Sequence, residues 1–237
     1  MSHYVSITPC LCLGDTILDQ QKGTISSAEN QVRSLLQDRP QLQPIVQEEG
    51  PIWNWLVSAF GDKSINFQIR WDNRPTSENN PERAQSTAYP DRNNISYIRV
   101  NRTYKSGPLA EKELSSEEVL SGVVFELNNV LHADEVLKIK ALAASGSISR
   151  EEFIISSARL EYSAEIKTSI FYSTIWIPFC NSKGINCTPK LWHMPVETTF
   201  DQWLLRYPRH CWYPWKYYGD IYDQIKVKSN NKITDSK

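Results

Sequence analysis

Ser115-Ser116-Glu117-Glu118-Val119-Leu120-Ser121-Gly122-Val123-Val124-Phe125-Glu126-Leu127-Asn128-Asn129-Val130-Leu131 is the stretch on which the fold turns. Ser115 with Glu118 three residues later is a capping box, in which hydroxyl and carboxylate each accept from the other's backbone N–H. At about 100° per residue, Val119, Leu120, Val123, Leu127 and Val130 gather into one apolar stripe. The segment is therefore an amphipathic helix laid on a core. Glu126 falls about 20° past Val119, at the edge of the stripe, with Asn129 and then Phe125 further out on the same side. A carboxylate at that edge is partly desolvated, and an unpaired one has its pKa raised toward the range a general acid or base needs.

Downstream, Ala133–Ala144 reads as a second helical segment closed by Ser145-Gly146. Ser149-Arg150-Glu151-Glu152 is another capping box and opens a helix that extends toward Thr174. On that helix Ile154, Ala158, Glu161, Glu165 and Tyr172 share a stripe. Glu161 and Glu165 stand one turn apart on a face that otherwise reads as buried. Two helices with inward carboxylates would bring Glu126 near Glu161 or Glu165.

Upstream, Ser26 with Glu29 reads as a capping box for a helix to about Gln37, and Pro40 stops it. Pro51 opens a short helix carrying Ile52, Trp53, Leu56, Val57 and Phe60, and Gly61 closes it. Ser64–Trp71 alternates, with Ile65, Phe67, Ile69 and Trp71 on one side, and reads as a half-buried strand. Residues 72–94 are polar and read as a long loop. Ile95–Val100 is a second strand, with Ile95, Tyr97 and Arg99 on one face. The expected fold class is α+β, a mainly helical core with a small sheet. With no internal repeat and no sharp shift in composition, the chain reads as one domain. Residues 1–23 form an arm, 24–175 the core, 176–227 an irregular aromatic cap and 228–237 a polar tail.

The 237 residues carry 26 Lys+Arg against 27 Asp+Glu, a net charge of -1, which lacks the basic footprint of a general nucleic-acid binder. The apolar run Ile170 to Phe179 is too short and too polar to span a bilayer. Five cysteines, an odd count, fit reduced thiols better than a disulfide framework, and Met1–Leu13 has no basic n-region. The expected compartment is the cytoplasm. Nine glycines and no P-loop, Gly-x-Ser-x-Gly elbow or dinucleotide fingerprint argue against phosphate cradles and nucleotide cofactors.

The order helix, strands, long loop, a helix with an inward glutamate, and a following helix with further glutamates resembles a zincin metallopeptidase core over roughly residues 25–175. The family's signature helix reads His-Glu-x-x-His. Here those positions hold Phe125, Glu126 and Asn129, so only the glutamate is kept. Phe125 cannot ligate zinc and Asn129 is a poor ligand. The family's third ligand is a glutamate on a following helix, which Glu161 or Glu165 would match. The resemblance implies a zincin-like fold with the metal site lost, hence no metal and no cofactor. Beside it stands a plainer reading, in which Glu126 is a structural ion-pair member of Arg70, Arg99, Arg102 or Arg159. Cys180, Cys187, His193, His210 and Cys211 fit no standard zinc spacing.

Trp203 to Tyr222 interleaves Trp203, Tyr207, Trp212, Tyr213, Trp215, Tyr217, Tyr218 and Tyr222 with Arg206, Arg209, His210 and Lys216. Such a segment is a lid on the core, a protein interface or a stacking surface for nucleobases. Two function classes follow. In one, the chain is a catalytically silent zincin-like module that binds a protein partner through Trp203, Trp212, Tyr213, Trp215, Arg206 and Arg209. In the other, it is a hydrolase of peptide or amide bonds with Glu126 as acid or base, assisted by Asn129, Glu161 or Glu165. The first is favoured because both histidines of the metal motif are absent. Oligomeric state is not encoded in any of these features.

Overall fold

The computed structural model describes residues 27–76, 84–87, 90–195 and 197–234. Helix α1 (Ala28–Asp38) is capped by Ser27, whose Oγ accepts from Asn30 N at 3.3 Å. The expected cap, Ser26, lies outside the described residues. Helix α2 (Pro51–Phe60) starts at its proline and stops at Gly61, as its sequence dictates. In α3 (Ser116–Val130) both bonds of the capping box form: Glu118 N donates to Ser115 Oγ, and Ser115 N to Glu118 Oε2. Helix α4 (Ala133–Ser145) ends on Gly146 at φ +78°, a left-handed cap that a side chain would strain. Helix α5 (Arg150–Phe171) repeats the capping box with Ser149 and Glu152.

The first strand is shorter than the alternation suggests, and among the described residues the sheet has three strands rather than two. Strand β1 is Gln68–Trp71, β2 is Ala84–Ser86 and β3 is Ile95–Val100, in the order β1-β3-β2. β1 runs parallel to β3, pairing Arg70 with Tyr97, and β2 runs antiparallel to it, pairing Gln85 with Arg99. The polar connection 72–94 thus contains β2, too short for alternation to reveal. On β3 the core face is Ser96, Ile98 and Val100, while Tyr97 and Arg99 are half-buried on the other face.

Helix α3 packs across β2 and β3, and all five residues of its stripe are fully buried. Gly122 makes this approach possible: a Cβ there would lie 3.2 Å from the Ala84 Cβ. Arg39, only 1% exposed, closes this layer by donating to the Val100 carbonyl and to Asp38, with its guanidinium 5.1 Å from the Trp71 ring centre.

The C-terminal part is largely helical, which corrects the expectation of an irregular cap. After α5 the helix continues through a π-helical turn (Tyr172–Trp176) into α6 (Ile177–Lys183). The cause is Pro178, which has no N–H and whose ring would crowd the Thr174 carbonyl in a regular α-helix. The widened turn relieves that contact, and Ile177 N donates to Tyr172 O, five residues back. Helices α7 (Phe200–Leu205) and α8 (Tyr217–Thr234) follow, and α8 lies against α4 and α5. A second apolar cluster forms there: Ala158, Phe200 and Trp203, with Tyr162, Tyr207, Tyr213 and Tyr218 packed on it.

Candidate functional site

The α3 segment places Glu126 against the core, with 9% of the residue exposed. The Phe125 ring stacks on the imidazole of His193, centres 4.5 Å apart and planes at 19°. Asn129 is half-buried. Its neighbour Asn128 is 3% exposed and donates through Nδ2 to Thr168 Oγ1 at 3.1 Å, which ties α3 to α5.

Glu161 and Glu165 do share a face of α5, but that face turns toward the C-terminal helices. Trp203 Nε1 donates to Glu165 Oε2 at 2.9 Å. Tyr218 Oη donates to Glu161 Oε2 at 3.5 Å. Burial pushes the Glu165 carboxyl up to about 7, against the Trp203 hydrogen bond and the Arg206 charge, which pull it down, and with Glu197, which adds to the rise. Burial, with the Glu161 charge second, also carries the Tyr213 and Tyr218 phenols well above their ordinary range. The neighbours that set Glu165 thus come from the segment after Pro195. Glu161 and Glu165 sit in an aromatic nest with donors from α7 and α8.

A carboxyl poised near neutrality beside donor groups has the electrostatics of an acid or base. Its access is another matter. Two grooves flank the π-helical turn, one lined by Asn128, Lys167, Ile170, Phe171 and Thr174 among others, the other by Thr174, Ile175, Pro178 and Lys183 among others. By helical arithmetic Lys167, Ile170 and Thr174 lie roughly 140–200° around α5 from Glu165, on the opposite side. Neither groove is lined by Glu126, Asn129, Glu161 or Glu165.

Of the aromatic residues expected at an interface, Trp203 is fully buried and belongs to the core. Tyr213 and Trp215 are half-buried, Trp215 donating through Nε1 to Tyr207 O. Trp212 is 55% exposed, its ring 5.1 Å from that of Tyr217. Arg206 pairs with Glu197 at 3.1 Å, and Arg209 pairs with Glu151 while its guanidinium lies 4.9 Å from the Trp215 ring centre. Among the described residues no group of three or more His, Cys, Asp or Glu side chains is arranged to hold a metal ion. No described helix is long and apolar enough to cross a membrane.

Sequence reasoning passed over two carboxylates that the fold uses heavily. Glu117 Oε1 accepts from Trp176 Nε1, Trp192 Nε1 and Thr188 N, each at 2.9 Å. Asp72, 8% exposed, holds Arg74 at 2.6 Å and Arg99 at 2.7 Å. Burial raises the Asp72 carboxyl, and the hydrogen bonds from Arg74 and Arg99 overcome it and hold the group low. The one available signal for Glu117 was its place in the first turn of α3, where a carboxylate meets the positive helix end. Compared with protein-family models, curated proteins and solved structures, the chain matches none.

Proposed function

We propose that this chain is a catalytically silent, zincin-like interaction module that docks a protein partner at the connection between α7 and α8. The observation that carries the reading is Trp212, 55% exposed in a chain that buries Trp176, Trp192 and Trp203 almost completely. Leu205, 80% exposed, ends α7 where that connection begins. An exposed Trp, with Arg209 over the ring of Trp215 three residues further on, is the composition of interface anchors. The zincin-like part of the proposal rests on the order of strands, α3 and α5 and on a buried glutamate at the position the family keeps. Silence is favoured by the ring of Phe125, which cannot ligate and is already stacked on His193.

A photo-crosslinking residue at position 212, in cells of the source organism, tests the reading. A discrete adduct with another protein that Leu205→Glu removes is the expected result. No adduct, or one that Leu205→Glu leaves intact, overturns it. The alternative, a glutamate-dependent hydrolase with Glu126 as acid or base and Glu165, its carboxyl near 7, assisting it, requires peptide or amide turnover that Glu126→Gln abolishes.

A further inference from the structure

The two grooves beside the π-helical turn share Thr174 and Ile175 in their linings. Their volumes are about 340 and 310 Å³, each at the lower end of the ~300–1,000 Å³ of small-molecule sites. The walls are mostly apolar: Trp55 and Phe171, edge to face at 4.7 Å, in the first, and Ile45, Ile52 and Phe179 in the second. Ile170, on the first wall, is 54% exposed.

Charge is distributed unevenly along this path. In the first compartment Lys167 and Asp62 offset each other, and Asp62 already accepts from Ser64 N at 2.8 Å. In the second, Lys183 is the sole charged lining residue, and it makes no ion pair among the described residues. From Lys183 back to Phe171 the helix spans about 18 Å at 1.5 Å per residue. A path with one cation at an end and an apolar floor behind it matches one ligand shape. We propose that the joined groove binds a linear acyl carboxylate, its head on Lys183 and its tail laid over Phe179, Ile175 and Phe171. The π-helical turn contributes by its wider backbone, which sets Thr174 and Ile175 at the junction of the compartments. This site is independent of the Trp212 surface and of the reading built on it.

The test is titration of the full chain, by calorimetry and native mass spectrometry, with dodecanoate below its micellar concentration and with dodecanol as the uncharged match. The expected result is one saturable site for dodecanoate, at least tenfold tighter than for dodecanol. Lys183→Glu, an exposed change that leaves the core intact, is expected to weaken dodecanoate at least tenfold and leave dodecanol unchanged. Lys167→Gln is expected to leave both unchanged. Equal affinity for acid and alcohol overturns the proposal, as does indifference to Lys183→Glu or a ladder of unsaturable adducts.

Discussion

Replacing Glu117 removes an acceptor that fastens the π-helical turn and the segment after it to α3. Its Oε1 takes three N–H donors at 2.9 Å, two of them indoles on Trp176, 2% exposed, and Trp192, fully buried. Glu117→Ala leaves both indole N–H groups buried without a partner, at about 1–3 kcal/mol each, and frees the Thr188 N–H as well. Because three donors share one oxygen, the terms are not additive, and a total of about 3–6 kcal/mol is expected. In a chain of this size each kcal/mol moves the melting temperature by roughly 2–4 °C, so a fall of about 6–24 °C follows. Glu117→Gln keeps an acceptor oxygen without the charge and is expected to lose roughly half as much. Thermal melts followed by tryptophan fluorescence read both variants. A Glu117→Ala protein that melts within about 2 °C of wild type, with unchanged emission, would refute the clamp.

Glu165→Gln tests the raised carboxyl through pH. The folded pKa of about 7 lies above the ordinary 4.5, so the folded state holds the proton more tightly. Wild-type stability from this group is full below the ordinary value and is lost as pH rises through about 7. Discounted for partial exposure, the loss is about 2–3 kcal/mol. Melting temperatures should therefore coincide at pH 5 and favour Glu165→Gln at pH 8, and equal slopes would show that the carboxyl is not perturbed. Gly122→Val pushes a branched side chain toward the Ala84 methyl and Val100, and should lower stability by about 1–3 kcal/mol in urea titrations. Glu126→Gln should lower the melting temperature, because Glu126 is buried and makes a polar or electrostatic contact that the substitution weakens. An unchanged or raised value instead points to a functional group strained in the resting fold.

Helix placement was legible because its causes are local. Caps at Ser115 with Glu118 and Ser149 with Glu152, the proline at 51 and the glycine at 146 act within one turn of their positions. The stripe of α3 shows its period because one face meets the core. α6 and α7 escaped because short runs next to prolines carry little period, and α8 because polar residues dilute its apolar side, although its Tyr218, Tyr222 and Ile225 keep helical spacing. Glu161 and Glu165 were correctly placed on one face of α5, but which neighbours that face meets is settled by packing across 38 and 57 residues of chain. Glu117 meets its indoles across 59 and 75 residues, and Arg39 reaches Val100 across 61. β2, three residues long, exists only because β3 offers it an edge. The sequence by itself determined where backbone hydrogen bonds close locally. Which buried polar group meets which partner was decided by the tertiary structure, since desolvation penalises every unpaired donor and acceptor, and only the assembled core brings the pairs within reach.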